Sequence, residues 1–274
     1  MKWTRRSLLC AAPAGWVTAV AAADPFLIQH VATRPADSLS ASYPAQDPDL
    51  VRETVGAAHG RIDRVRELLG LSSALAKATW DWGFGDWETA LGAASHTGNR
   101  EIAALLIEHG ARPDVFTFAM LGQLDVVKAL VAANPGVQRL HGPHGITLLQ
   151  HARAGGAKSA GVVEFLTSLG DADIGQISVA LDADWAKKYP GDYSLDAAGN
   201  DRLIVAPARN GGLTIQRGKT GTPRNLLHQG QHTFHPTGAP RVVIRFDVAD
   251  ERVSTLRIID AGIERTAARV AAGG

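Results

Sequence analysis

Apolar side chains recur at helical spacing through the first two-thirds of the chain, in units that a glycine divides. Gly60, Gly98, Gly122 and Gly156 mark four such units and lie 38, 24 and 34 residues apart. After each of the first three glycines, apolar residues return at the same offsets, which places them on one face of a helix. In the fourth unit they come two residues later, after a run of small residues. The pattern predicts tandem helix pairs that bury their apolar faces against each other.

The unequal spacing of the glycines predicts that the connections between units differ. The 38-residue step indicates an enlarged hairpin between the first and second units. The 24-residue step indicates that the next hairpin is missing.

After Lys188 the period of the pattern changes from helical to extended. Short β-branched runs separated by Gly, Asn, Asp and Pro begin at Arg202, Gly212, Arg241 and Val253. Such runs predict an antiparallel sheet or small barrel. Residues 182–187 are expected to form a linker or a short helix between the two parts.

The helical units resemble ankyrin repeats, whose pattern includes a Thr-Pro-Leu-His entry, an Ala pair, a Gly between helices and a closing Gly-Ala-x-x-Asp. The second unit carries most of the matching residues: Thr89, Leu91, Ala93, Ala94, Gly98, Leu105, Leu106, Gly110, Ala111 and Asp114. Ala90 and Gly92 depart from it. The resemblance implies an α-solenoid of about four repeats over residues 47–176, which binds a partner through its concave face and hairpin tips.

Residues 184–270 resemble the small β-domain that is appended to several bacterial exported hydrolases, including penicillin-recognising serine enzymes. The residues that carry the resemblance are Tyr189 to Tyr193, Gly212 to Ile215, Phe234 to Pro236 and Val243 to Phe246. It implies an α+β multidomain protein with a small antiparallel β-sheet or β-barrel domain at its C-terminal end. The active domain of those hydrolases has no counterpart in this sequence, so the resemblance extends only to the fold.

The first 23 residues have the layout of a secretory signal peptide. Lys2, Arg5 and Arg6 precede an apolar run that ends in three alanines, and Thr4 to Leu9 resembles a twin-arginine export signal. This interpretation predicts a bacterial protein that is periplasmic or secreted, with residues 24–46 as an extended linker. The alternatives are an ordinary leader and an uncleaved anchor.

Charge and cysteine content narrow the class of partner. The formal net charge is +1, and the three basic residues of the leader contribute +3 of it, which leaves a mature chain near −2. Such a chain lacks the basic field that nucleic acid or anionic lipid requires. Cys10, the one cysteine, would leave with the leader. We therefore expect a protein partner, no nucleic acid and no membrane insertion after cleavage.

The enlarged hairpin holds the aromatic residues that we predict to bind the partner. Trp80, Trp82, Phe84 and Trp87 lie within eight residues, among glycines. Aromatic rings supply large contact areas at interfaces for little lost side-chain entropy. The alternative is that these rings fill the gap between repeats. On an extended hairpin Trp82 and Phe84 would share one side.

Histidines at the repeat ends are the remaining binding candidates in the helical part. His141 and His144 flank a Gly-Pro turn before the fourth unit, where they are predicted to contact the partner; a plain turn or a metal ligand role is the alternative. His59, His96 and His109 lie at helix ends, where hydrogen bonds to backbone are expected.

No catalytic residue, cofactor or metal site is predicted, because no nucleophile motif is present and the late histidines lack a carboxylate at ligand spacing. The resulting hypothesis is a non-enzymatic protein–protein interaction module. The alternative is a small-ligand or metal-binding protein or a weak hydrolase, with its site in the β-domain or the inter-domain cleft. That site would gather the following residues: Tyr189, Tyr193, Arg224, His228, His232 and His235.

Overall fold

The computed structural model describes residues 40–209 and 211–271. The predicted signal peptide and residues 24–39 of the predicted linker lie outside this range. Helices fill the first part of the described chain and strands fill the second. Within the described residues, no helix has both the length and the apolar character needed to cross a membrane.

Four consecutive helix pairs make up the helical part, which is followed by one short helix. Their bounds are α1 Pro48–Ala57, α2 Ile62–Leu71, α3 Ala90–His96, α4 Arg100–Glu108, α5 Val115–Met120, α6 Leu124–Ala133, α7 Leu148–Ala154, α8 Ala160–Leu169 and α9 Ala183–Lys188. The first helices of the pairs contact one another in the order α1, α3, α5 and α7. The helices therefore stack as the repeated apolar pattern predicts.

Local sequence sets where the first helix of each pair begins. Asp47, Thr89, Asp114 and Thr147 each accept a hydrogen bond from a backbone N–H of the following turn. These N-cap side chains satisfy donors that the helix itself leaves free.

Gly98 lies where the backbone turns between the helices of the second pair. Its φ of 74° favours glycine, and an added Cβ would come within 2.2 Å of the carbonyl oxygen of Ala154. This close approach brings the end of α3 against the end of α7, although α5 lies between them in the chain. The backbone after α3 therefore lies directly against the backbone at the end of α7.

The connections between the pairs differ as the glycine spacing predicts. The first connection contains a hairpin of two strands, β1 Thr79–Asp81 and β2 Trp87–Thr89, in which Trp80 faces Glu88 across the register. The connection between α4 and α5 contains no strand. The short connection allows α3 to contact both α5 and α7.

The second part is a closed barrel of eight antiparallel strands. Their bounds are β3 Gly191–Ser194, β4 Arg202–Pro207, β5 Leu213–Arg217, β6 Arg224–Gly230, β7 Thr233–Pro236, β8 Val243–Ala249, β9 Arg252–Asp260 and β10 Ile263–Arg269. Each strand pairs with the next in sequence, and β10 closes the barrel against β3. The predicted small antiparallel β-domain is confirmed, and of its two forms the barrel is the correct one.

Alternate residues of the barrel strands form an apolar interior. On β4 Leu203 and Val205 are buried, and on β8 Ile244 and Phe246 are buried, while their neighbours are partly or fully exposed. This alternation follows from the period of two in a strand.

The segment between the two parts lies along the barrel. The N–H of Val179 donates to the carbonyl of His228 on β6, and the side chain of Gln229 donates to the carbonyl of Ile177. Trp185 of α9 packs against the barrel core. The helical part and the barrel are therefore joined by contacts along this segment as well as by the chain.

Candidate functional site

The hairpin between α2 and α3 sends its aromatic rings in three directions. Trp80 and Trp82 pack against the core of the first two helix pairs, whereas Phe84 packs against the barrel core. Trp87 remains 62% exposed. Gly83, Phe84 and Gly85 all have positive φ, so the strand alternation ends there. The expectation that Trp82 and Phe84 share one side is therefore wrong.

Asp86 joins the hairpin to the barrel through a buried ion pair. Its carboxylate contacts the guanidinium of Arg224, the first residue of β6, and both residues are about 5% exposed or less. Arg224 also donates to the carbonyl of Thr237. Gly238 leaves room for this pair, because a Cβ there would lie 2.6 Å from Asp86 Oδ1.

Glu88 on β2 is the centre of a second set of polar side chains, on the opposite side of the hairpin from Trp87. Its side chain has no exposed surface. The indole Nε1–H of Trp82 donates to Oε2 at 2.6 Å, and Nε2 of His96 lies 2.8 Å from Oε1. Two further imidazoles approach the same carboxylate, with Nε2 of His59 at 3.5 Å and Nε2 of His144 at 3.4 Å.

The three imidazoles come from different parts of the helical stack. His59 follows α1, His96 is the last residue of α3, and His144 lies in a turn before α7 with φ of 60°. One nitrogen or oxygen from each of these residues and Glu88 lies within 4.8 Å of all the others. We call these four residues the histidine–glutamate cluster.

Two of the three rings are oriented by hydrogen bonds at their other nitrogen. Nδ1 of His59 donates to the carbonyl of Val55 at 3.1 Å, and Nδ1 of His144 donates to Asp86 Oδ2 at 2.7 Å. The backbone N–H of His144 donates to the other oxygen of Asp86 at 2.9 Å. Because a carbonyl or carboxylate oxygen only accepts, each Nδ1 carries a proton and each Nε2 faces the cluster. Nη1 of Arg224 also lies 3.0 Å from Nδ1 of His144, and this contact joins two donors.

Charges within the cluster shift its titration in opposite directions. Burial alone would raise the pKa of Glu88, but hydrogen bonds from His144 and His96 outweigh burial and lower the pKa to about 2. Burial would lower the pKa of His144, yet hydrogen bonds to Asp86 and Glu88 raise it to about 9. Burial lowers the pKa of His59, despite the nearby charge of Glu88. At neutral pH the ionised Glu88 therefore faces a protonated His144.

A fourth histidine lies deeper in the stack, beside the cluster. His151 on α7 is fully buried, its Nδ1 donates to the carbonyl of Thr147, and its ring packs against Phe116 at 4.7 Å between centroids. Burial lowers the pKa of His151 to about 4. This ring is therefore neutral at physiological pH, and its Nε2 has no hydrogen-bond partner among the residues that the structure describes.

The predicted partner-binding residues thus fall into two groups. Trp80, Trp82, Phe84 and His144 are engaged within the chain, as described above. Trp87 and His141 face outward, although Nε2 of His141 lies 2.7 Å from the carbonyl of Ile174. Phe84 at the hairpin tip packs against the barrel, so the exposed face of the hairpin is the one that carries Trp87.

The residues of the alternative site in the β-domain do not gather around one point. The hydroxyl of Tyr189 contacts His232, while Arg224 is paired with Asp86. His228 is bonded to the carbonyl of Ala180, and Nδ1 of His235 lies beside the carbonyl of Pro236. A cleft of about 530 Å³ opens beside Phe84, lined by apolar strand residues such as Leu203 and Ile215 and by charged ones such as Arg217 and Asp260.

The sequence pattern did not predict the histidine–glutamate cluster. From the sequence, His59 and His96 were expected to be separate helix-end residues, and no role was predicted for Glu88 or Asp86. One signal was available: His59 and His96 both lie just before a glycine that divides a unit, Gly60 and Gly98, so stacking places them side by side. The turn that carries His144 is 58 residues from Asp86 in the chain, and no periodicity relates them.

Comparison with known protein families identifies an ankyrin repeat at residues 86–118. The matched segment covers α3 and α4 and includes Asp86, Glu88 and His96. A search of curated proteins finds no significant match to the chain. The family match confirms the resemblance for the second unit, and an ankyrin repeat is a structural unit that typically mediates protein interaction.

Proposed function

We propose that the helical part is an ankyrin-repeat interaction module of about four repeats that holds a protein partner. The observation that carries the proposal is the ankyrin repeat at residues 86–118. The other three helix pairs support the repeat number, because a glycine also separates the two helices of each pair and a side chain caps each first helix.

The partner surface is the outward face of the hairpin, centred on Trp87. Trp87 and Thr89 point away from Glu88 because strand residues alternate between faces. Thr89 also lines a groove of about 200 Å³, together with Lys77, Leu91 of α3 and Arg112 of the connection after α4. An exposed tryptophan next to a groove is the arrangement of an interface anchor.

Export to the periplasm or beyond the cell completes the proposal. It rests on the leader-like residues 1–23, with their paired Arg5 and Arg6. Replacing both arginines by lysine in the full chain should abolish export if the twin-arginine pathway carries it. Unchanged export of that variant would remove the twin-arginine part of the proposal.

Trp87→Ala tests the interaction surface. We expect the variant to fold with unchanged thermal stability, because exposed side chains contribute little to folding, and to lose the envelope proteins that the wild-type chain captures by crosslinking. Ile177→Ala is the matched control, because Ile177 is an apolar residue that is 75% exposed and lies outside both the hairpin and the cleft beside Phe84. Equal capture by wild type and Trp87→Ala would refute the surface.

A further inference from the structure

We propose that His59, Glu88, His96 and His144 form a binding site for a divalent first-row transition-metal ion, with Zn²⁺ as the best fit. This site lies within the repeat stack and goes beyond the interaction module. It also differs from the metal site considered in the β-domain.

The spacing of the ligand atoms suits a small four-coordinate ion. With metal–ligand bonds of about 2.0–2.1 Å, neighbouring ligand atoms of a tetrahedral site lie roughly 3.3 Å apart. The Glu88 oxygens lie 2.8, 3.4 and 3.5 Å from the three histidine Nε2 atoms. Since no pair in the cluster exceeds 4.8 Å, side-chain adjustments alone would close the site.

The rings are also spaced as imidazoles around one ion. Imidazoles that share a tetrahedral ion have centroids roughly 5 Å apart. The centroids of His96 lie 5.0 Å from His59 and 5.4 Å from His144, with interplanar angles of 69° and 83°. His59 and His144 are 6.3 Å apart. The planes of His59 and His144 are inclined by 23°, so His96 is the ring that lies at a steep angle to the other two.

The surrounding hydrogen bonds are those that a metal site requires around its ligands. Metal-bound histidines usually donate their other ring N–H to a carbonyl or carboxylate, which fixes the ring and its tautomer. His59 does so with Val55, and His144 does so with Asp86. Trp82 orients the Glu88 carboxylate in the same way. With Nδ1 protonated in His59 and His144, their Nε2 atoms converge on the Glu88 carboxylate, and a bound ion would displace a proton from His144.

Glu88 supplies the negative charge of the cluster. Asp86 is balanced by Arg224, whose guanidinium also contacts the His144 ring. Among the residues that the structure describes, the ion-pair partners found for Glu88 are the three imidazoles, with no arginine or lysine. An ion would reach the site from solvent, since the side chains of His59 and His144 are 33% and 25% exposed.

Three imidazoles and one carboxylate select the class of ion. Imidazole suits Zn²⁺, Cu²⁺, Fe²⁺ and Ni²⁺, whereas Ca²⁺ and Mg²⁺ take oxygen ligands. The ligands come from the first, second and fourth helix pairs, so a bound ion would cross-link the stack. Binding to the folded state alone raises its stability.

Metal titration of the full chain, purified without a polyhistidine tag and stripped by chelator, tests the site. We expect one Zn²⁺ or Co²⁺ per chain in competition with a chromogenic chelator, with the visible absorption of tetrahedral Co²⁺. Cu²⁺ should quench the tryptophan fluorescence, because Trp82 hydrogen-bonds a ligand. Zn²⁺ should also raise the melting temperature.

Matched variants locate the ion. His59→Asn and Glu88→Gln should weaken binding at least 100-fold, beyond the roughly 10–100-fold loss typical of outer-shell changes. His109→Asn is the control, because His109 makes the same Nδ1 hydrogen bond to a carbonyl four residues earlier but lies outside the cluster. Circular dichroism checks folding, and the partly exposed His59 provides a variant that retains the core.

Trp82→Phe probes the positioning of Glu88 separately. It keeps an aromatic ring but removes the donor to Oε2, so we expect about a tenfold loss of affinity without loss of stoichiometry. The metal site is refuted if the wild type binds no stoichiometric ion. It is also refuted if the folded His59→Asn and Glu88→Gln variants bind as tightly as wild type, or if His109→Asn loses as much affinity as they do.

Discussion

The helical part and the barrel bury different kinds of side chain. Among the described residues, the buried polar and charged groups of the helical part are Thr54, Asp86, Glu88, Ser95, Thr117, Thr147, His151 and Ser159, whereas those of the barrel are Arg224 and His235. The interior of the barrel is packed with apolar side chains, and its buried arginine, Arg224, is paired with Asp86 of the helical part. A buried polar group costs stability unless it is paired. Because most of these buried polar groups lie in the helical part, we expect the functional site there.

The largest effect is expected where the two parts meet. Asp86→Asn removes the charge that pairs with the buried Arg224, and we expect a loss of about 3–5 kcal/mol in the free energy of unfolding, because an uncompensated buried charge remains. Urea unfolding followed by tryptophan fluorescence measures it.

The control for this prediction is a solvent-exposed pair of the helical part. Glu53 and Arg64 form an ion pair in which both side chains are 36% exposed. Glu53→Gln should have a much smaller effect, because water screens such pairs. Equal losses in the two variants would mean that the buried pair does not hold the barrel to the repeats.

The next effect concerns pH and the buried His151. Its pKa is about 4 in the folded chain and near 6.5 in the unfolded chain, so the unfolded state takes up the proton first as pH falls. Its contribution to stability is complete above pH 6.5, decreases between pH 6.5 and 4, and amounts to roughly 3 kcal/mol at most. Unfolding free energies of wild type and His151→Leu across this range measure it. Parallel pH profiles for the two proteins would contradict the prediction.

A smaller effect is expected from Arg100, the first residue of α4. Its guanidinium donates to the carbonyls of Met120, Leu121 and Gly155, at the ends of α5 and α7. Arg100→Met leaves the carbonyls of Leu121 and Gly155 without this donor, while Ser159 still donates to Met120, and we expect a loss of about 1–3 kcal/mol. Thermal unfolding measures it against Arg66→Met, which removes an exposed arginine. If both variants melt at the same temperature, the hydrogen bonds of Arg100 do not stabilise the packing of α4 against the ends of α5 and α7.

Local pattern was enough to predict most of the fold. The glycine spacing predicted the helix pairs, the enlarged hairpin and the missing one, because an apolar face must find a partner at a fixed helical period. The change of period after Lys188 predicted an antiparallel β-domain. Sequence alone left the sheet and the barrel as alternatives, because closure depends on the pairing of β3 with β10, the first and last strands of the domain.

The candidate site was less predictable, for a physical reason. Trp82 and Phe84 were expected on one side, but three successive positive φ values at residues 83–85 end the strand and send the rings to different cores. The partner role of Trp87 and His141 stays a prediction. Side-chain direction in a turn depends on the backbone angles, which the polar and apolar pattern does not encode.

The sequence by itself determined the repeated helix pairs, their caps and the strand-rich second part, because these follow from interactions between residues close in the chain. Only the tertiary structure decided that His144 reaches Asp86 and Glu88, and that Arg224 of the barrel pairs with the same hairpin. These contacts join segments far apart in sequence. They form because the short connection between α4 and α5 lets α7 stack against α3, which brings the turn before α7 to the ends of α1 and α3.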